Sequence, residues 1–418
     1  DFIKSMGVAG GVATGLSAVA TNLTGGVAGA AEMAAAQGAS GPTSAARDAL
    51  LGLLDTIRGV QARYLTPEMG VTNADEAAEG ARAIGHLLET ALFFWLEAKP
   101  ERPAFKQYVT PTRKLLGCNP DSLYYFAPIR DDRRYRVTGN VGAATFTSFT
   151  IERGSAEGHA ARGSIAALSD DEMEIAPDGS FEIIVSSEEP IGKNWLRLKK
   201  GASQITTRHY HESRASIGAN LNAQMELRIE PLDRMPLEPH GGDSEIAAHF
   251  DWLANFVREH AAMMMTPTSP EMAKQLGWVS TEPNRLPKPG QWISASGENA
   301  YGNIHAYYAS APFELAPDEA LLLRGRFPDC RFANVVLWNR YMQSFDYANR
   351  RISLNRSQIE YQEDGSFEIV VAHSDPGVSN WLDTEGRATG TMYWRYIFPT
   401  ETPPRVKTKI VKHESLGR

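Results

Sequence analysis

The sequence predicts a mainly β protein with helical additions: two tandem, related β-sandwich domains of jelly-roll-like type, plus N-terminal helices. Three observations lead there. Residues 178–196 read DGSFEIIVSSEEPIGKNWL and residues 364–382 read DGSFEIVVAHSDPGVSNWL, with eleven of nineteen positions identical and no gap. The separation is constant, since 364 − 178 = 186 and 381 − 195 = 186, and the same step carries Gly139 to Gly325 and Phe146 to Phe332. An ungapped register of that length marks one folding unit present twice. Finally, 418 residues exceed the roughly 250–300 at which a single core stops growing, so each copy has chain enough for its own core.

Five segments follow in order. Residues 1–40 are Gly- and Ala-rich, with Lys4 before a weakly apolar run that ends near Ala28-Gly29-Ala30, the layout of a secretory leader. The competing reading is a small-residue helix held in a subunit interface or against a membrane. Thr, Ser, Asn and Gly interrupt the run too often for a good spanning helix. Residues 41–105 form a helical cap. Leu50, Leu54, Ile57, Val60 and Tyr64 recur at helical spacing until Pro67. Thr72-Asn73 can cap a second helix whose stripe is Ile84, Leu88, Leu92 and Trp95.

Residues 106–240 are the first β-sandwich, with short strands at 123–126, 135–138, 144–151 and 181–185, separated by Asp, Gly and Pro. Residues 241–298 are a helical insert and a Pro-rich linker. Asp243 or Ser244 can cap the insert; Ile246, Phe250, Leu253 and Val257 form its stripe, and Met263, Met264 and Met265 read as core filler. Residues 299–418 are the second sandwich. In its clearest strand, 389–398, Met392, Trp394, Tyr396 and Phe398 share the core face, opposite Thr391, Tyr393, Arg395 and Ile397.

Composition narrows the function. A net charge of −8 leaves no basic excess to neutralise phosphates, which argues against nucleic acid as a partner. Cys118 and Cys330 are the only cysteines; they sit in no CxxC or Cys/His cluster, so they give no structural zinc site and leave the redox compartment open. GxSxG, HExxH, P-loop and dinucleotide fingerprints are missing from the chain, and no cofactor is named by any motif.

Two constellations could carry chemistry. Arg331, Trp338, Asn339 and Arg340, with His373 and Arg395 further on, could converge as a concave ligand site in the C-terminal sandwich. A planar guanidinium fork and an indole face suit carboxylate, sulfate or sugar. At the 186-residue step Ser187 stands opposite His373 and Gly154 opposite Arg340, so function is sought where the copies differ. If the site is real, alanine at Arg331, Arg340 and His373 abolishes binding with little change in Tm. Asn194-Trp195 and Asn380-Trp381, kept in both copies, read as scaffold, with an indole buried between sheets. The second constellation is His209 and His211, on one face of a strand. They could share a metal with Glu212 or His240; the competing reading is a hydrogen-bonded pair. The same step sets them opposite Arg395 and Ile397.

The run 117–125 (GCNPDSLYY), Arg134-Tyr135-Arg136-Val137-Thr138-Gly139, the two Asp-Gly-Ser-Phe-Glu-Ile runs and Asn380-Trp381-Leu382 before Arg395-Tyr396 resemble the bacterial family catalogued as domain of unknown function 1214 (DUF1214), over about residues 105–410. That resemblance implies a jelly-roll-like β-sandwich, often in exported proteins, and transfers no catalytic residue. Asp1-Phe2-Ile3-Lys4 is similar to the second half of the twin-arginine export motif, without its two arginines. The expectation is an exported protein, periplasmic or secreted, that binds a small polar or anionic molecule, carbohydrate included, in its C-terminal sandwich. The alternatives are an assembly protein that forms a homo-oligomer or touches a membrane through residues 1–40, and a metal-dependent enzyme using His209 and His211.

Overall fold

The computed structural model describes residues 42–192, 194–234, 241–292 and 300–416. The leader-like segment, its membrane or subunit contacts and His240 lie outside them. Residues from Ala45 onward form one compact unit, and among the described residues no helix is long and apolar enough to cross a membrane.

Two helices come first, α1 (Ala45–Tyr64) and α2 (Ala74–Trp95). Asn73 caps α2 by accepting from the Glu76 amide at 3.0 Å, while Glu76 reaches back to the Thr72 amide at 2.6 Å; first-turn donors lack helical partners, so such exchanges fix where a helix begins. The buried face of α1 is Leu53, Val60 and Tyr64, leaving Leu50 and Leu54 exposed. The expected stripe is therefore rotated, because α1 packs on one helix rather than on a broad core.

The first repeat contains β1 (Lys106–Gln107), β2 (Ser122–Pro128), β3 (Tyr135–Asn140), β4 (Phe146–Arg153), β5 (Gly163–Ser169), β6 (Ser180–Ser186), β7 (Asn194–Arg197), β8 (Ala202–Tyr210) and β9 (Leu227–Pro231). Next come α3 (Gly242–Met265) and α4 (Pro270–Leu276). The second repeat contains β10 (Gly290–Gln291), β11 (Ala306–Glu314), β12 (Glu319–Gly325), β13 (Phe332–Trp338), β14 (Ser353–Asn355), β15 (Phe367–Ala372), β16 (Trp381–Asp383), β17 (Thr389–Ile397) and β18 (Lys407–Lys412).

The sheet orders repeat strand for strand. β1-β2-β8-β4-β5 matches β10-β11-β17-β13-β14, and β7-β6-β3-β9 matches β16-β15-β12-β18. Each repeat is a two-sheet sandwich with its own core, led by Phe149, Ile183 and Ile205 in the first and by Phe313, Leu323, Trp394 and Tyr396 in the second. Burying each such side chain stabilises the fold by roughly 1.5–3 kcal/mol.

The helical insert does not stand apart. α3 packs on α1 and α2, and Phe94 of α2 stacks on Phe126 of β2 with centroids 4.0 Å apart, so all three helices make one layer over the first repeat. Asp243 caps no helix of its own; its carboxylate accepts from the Ala45 and Ala46 amides at 2.7 and 3.1 Å and so caps α1.

The duplicated text is corner structure. Asn194 accepts from the Glu174 amide and donates to the Glu174 and Glu182 carbonyls, and Asn380 makes the same three bonds to Glu360 and Glu368. The Trp195 and Trp381 indoles donate to the Ser186 and Ala372 carbonyls. Both indoles are half-buried at a sheet edge rather than enclosed between sheets, because the parallel strands β7 and β16 that carry them are edge strands.

Candidate functional site

The sheets containing β8 and β17 turn their outer faces toward each other. Phe146, Tyr210, Tyr308, Phe332 and Ile397 form an apolar layer between the repeats, so both central strands are covered on two sides. β8 is buried at every position. Side chains alternate along a strand, so the core residues Met392, Trp394 and Tyr396 leave Tyr393, Arg395 and Ile397 to face the other repeat. The core-face expectation for 392, 394 and 396 agrees with this arrangement.

A cavity of about 130 Å³ opens in this layer, roofed by Met263 at the end of α3 and by the 300–302 segment. Its walls carry Arg208, Arg395, Trp338 and the tyrosines Tyr108, Tyr124, Tyr210, Tyr308 and Tyr393. Apolar side chains such as Val109, Leu115 and Met342 complete the lining.

Arg395 is 5 % exposed. Its Nη2 donates to the Gly117 carbonyl, while its Nη1 has no hydrogen-bond partner among the described residues. The guanidinium lies over Tyr393 at 4.6 Å and Trp338 at 5.2 Å, and those two rings stack at 4.0 Å. Trp338 is held in turn by its indole, which donates to the Cys118 carbonyl at 3.1 Å. Gly117 permits this closeness: its φ is +71°, and a Cβ there would meet the Trp338 ring at 2.4 Å.

Arg208 is 6 % exposed and donates to the Thr150 hydroxyl at 3.2 Å and the Tyr301 carbonyl at 2.7 Å. Tyr301 is itself fixed, accepting from the Ala161 amide at 2.8 Å and contacting His260 Nε2 at 3.2 Å. Neither Arg208 nor Arg395 forms an ion pair among the described residues. Elsewhere the chain pairs its half-buried arginines with two-oxygen contacts, Arg331 to Asp170 and Arg356 to Glu212. A buried charge without a partner costs several kcal/mol, so the exception marks the site.

Burial sets the protonation of the walls. It pushes Tyr108 and Tyr308 up to about 12 and also raises Tyr124 and Tyr393. These phenols stay neutral hydrogen-bond donors. Glu152, fully buried beyond Thr150 on β4, is pushed up to about 7 by desolvation, against the pull of Arg208 and hydrogen bonds from Ser164, Tyr301 and Thr206.

The six residues expected to converge do not. Arg331 pairs with Asp170 of the other repeat at 2.8 and 2.9 Å and donates to the Thr145 carbonyl. Asn339 accepts from the Tyr341 and Gln343 amides within its own turn. Arg340 clamps the Met69 and Gly70 carbonyls between α1 and α2. His373 bonds Thr384 at 2.6 Å and the Ala316 carbonyl at 3.2 Å, away from the rest. Of the six, Trp338 and Arg395 line one cavity together, and it lies between the sandwiches rather than within the C-terminal one.

His209 points into the first sandwich, bonded to Thr147 at 3.1 Å and Thr207 at 2.9 Å, and burial with His211 nearby pushes it down to about 3. Glu212, a candidate third ligand, is engaged by Arg356 at 2.7 and 2.6 Å. Among the described residues no group of three metal-ligating side chains forms.

Sequence reasoning missed Arg208 and Tyr124. Sheet pairing shows why. Tyr210 faces Ser122 and Phe146, as Ile397 faces Ala306 and Phe332. Arg208 is therefore the counterpart of Arg395, and Tyr124 of Tyr308. The steps are 395 − 208 = 187 and 308 − 124 = 184, so a fixed step of 186 sets His209, not Arg208, against Arg395.

The model of the family "Protein of unknown function (DUF1214)" matches residues 127–214 and 322–401, and each region holds one of the two arginines. The chain is similar to a crystal structure of an uncharacterised protein from Burkholderia cenocepacia, at 28% identity and a TM-score of 0.76, covering 88% of this chain and 98% of that one. A protein from Vibrio parahaemolyticus gives 15% identity and a TM-score of 0.44 over 79% of this chain and 98% of its own. No curated protein matches.

Proposed function

We propose that the protein binds a small anion in the cavity between its two sandwiches, with Arg395 as the main anchor. The observation that carries this reading is a buried guanidinium that faces a cavity with, among the described residues, one nitrogen unpartnered and no carboxylate in contact. An arginine cannot shed its proton to relieve that cost, so an anion that enters regains the lost interaction. Neutral tyrosine hydroxyls add donors, and the Trp338–Tyr393 stack supplies an apolar wall for carbon. A cavity of about 150 Å³ holds a benzene, so about 130 Å³ suits a ligand of that order of size. Such a site takes a small organic acid more readily than an oligosaccharide.

The test is the thermal stability of the full chain with acetate, butyrate, succinate, inorganic phosphate and the uncharged amide butyramide. Saturable stabilisation by one or more anions is expected, about 2.7 kcal/mol at a hundredfold excess over Kd. Butyramide should do nothing, and Arg395→Met should abolish the response. Equal effects of butyrate and butyramide, or an unchanged response in Arg395→Met, would sink the reading.

A further inference from the structure

We infer that the ligand is a short dicarboxylate, with one carboxylate taken by Arg395 of the second repeat and the other by Arg208 of the first. This rests on the anion reading above and deepens it. Three observations carry it.

The first is equivalence. Arg208 pairs in register with Tyr124 and Ser148, and Arg395 with Tyr308 and Asn334. Residues opposite each other on adjacent strands share a face, so each repeat contributes an arginine with a tyrosine beside it to the same cavity. The site is thus a pair of like half-sites facing each other.

The second is charge. Both guanidiniums are at least nine-tenths buried, both line the cavity, and neither forms an ion pair among the described residues. One monoanion would meet only one of the two guanidiniums; Glu152, whose charge acts on Arg208 from beyond Thr150, is itself pushed up to about 7 by burial and so offsets that cation only in part, whereas a dianion serves both. Arg208 keeps donors free after its bonds to Thr150 and the Tyr301 carbonyl, because a guanidinium offers five N–H groups.

The third is the wall between charges. A compact inorganic dianion has no use for aromatic faces, whereas the Trp338 and Tyr393 rings under Arg395 offer apolar surface to the methylene or ring carbons that join two carboxylates. The enclosed volume limits that joining segment to a few carbons.

Isothermal titration of the full chain with malonate, succinate, glutarate, butyrate and inorganic phosphate tests the inference. One dicarboxylate should bind at least about tenfold tighter than butyrate, the increment expected from a second charge-assisted contact. Arg208→Met should erase that preference, leaving dicarboxylate and butyrate alike, while Arg395→Met, which removes the main anchor, should abolish binding of both. Circular dichroism checks that each variant folds. Arg208→Lys, which keeps the charge, should retain preference for two charges at weaker affinity. If butyrate equals the best dicarboxylate, the dicarboxylate inference falls while the small-anion reading stands. Phosphate binding tighter than every dicarboxylate also overturns it. If none of these anions binds, the small-anion reading itself fails.

Discussion

Glu152 is the residue whose titration the fold has moved into the neutral range. Burial lifts its carboxyl from an ordinary 4.5 to about 7, so the folded state holds a proton that the unfolded chain has already released. The associated stability is fully present below about pH 4.5 and is lost as pH rises through about 7, with an upper bound of roughly 3 kcal/mol. Glu152→Gln mimics the protonated form. We expect it to leave Tm nearly unchanged at pH 4.5 and to raise it at pH 8; an equal shift at both values would contradict the account. His209, pushed down to about 3, acts in the opposite direction. Its contribution is present above the ordinary value of 6.5 and is lost as pH falls toward about 3, so acid unfolding should begin earlier than the carboxylates alone would set it. A buried isostere such as His209→Gln should flatten that limb in a urea titration followed across pH.

At the scale of elements, two of the arginines first read as ligand-binding, Arg331 and Arg340, tie elements together. Arg331 joins the start of β13 to Asp170 after β5, and Arg340 joins the turn after β13 to the α1–α2 connection. Arg331→Ala leaves Asp170, whose side chain is 7% exposed, without its cation. We expect a loss of about 2 kcal/mol in urea denaturation, moderated because the guanidinium is itself a third open to water. Anion affinity in the folded fraction should hold within about threefold. That is the reverse of the outcome expected if Arg331 lined the pocket. Strand and turn text was legible where local chemistry decides structure. The Asp-Gly turns adopt positive φ at Gly179 and Gly365, and the alternation of β17 identifies its core face. What stayed illegible was which outer face a strand turns to a partner sheet, because alternation sets Tyr393 and Arg395 opposite the core face without saying what covers them. Only the pairing of two sheets from residues far apart in sequence buries them.

For the whole molecule, the duplication was legible because its corner motif keeps an ungapped step of 186. Its functional consequence was hidden because β2/β11 and β8/β17 run at steps of 184 and 187. The identical corners draw the eye to scaffold, while the equivalent arginines sit in text that shares little else: Thr-Thr-Arg-His-Tyr against Tyr-Trp-Arg-Tyr-Ile. Two sandwiches that cover each other's central strands must either fill the layer between them or leave room for something. Here the layer contains two guanidiniums that form no ion pair among the described residues, and the molecule is organised around the cavity they line. Crystals of the full chain soaked in sodium bromide test this organisation most directly, since the ion's anomalous scattering locates it without assumptions about the natural ligand. A peak is expected inside the cavity within hydrogen-bond reach of Arg395 Nη1, and its loss in Arg395→Met. Bromide peaks confined to exposed surface arginines, with ordered water alone against Arg395, would contradict it.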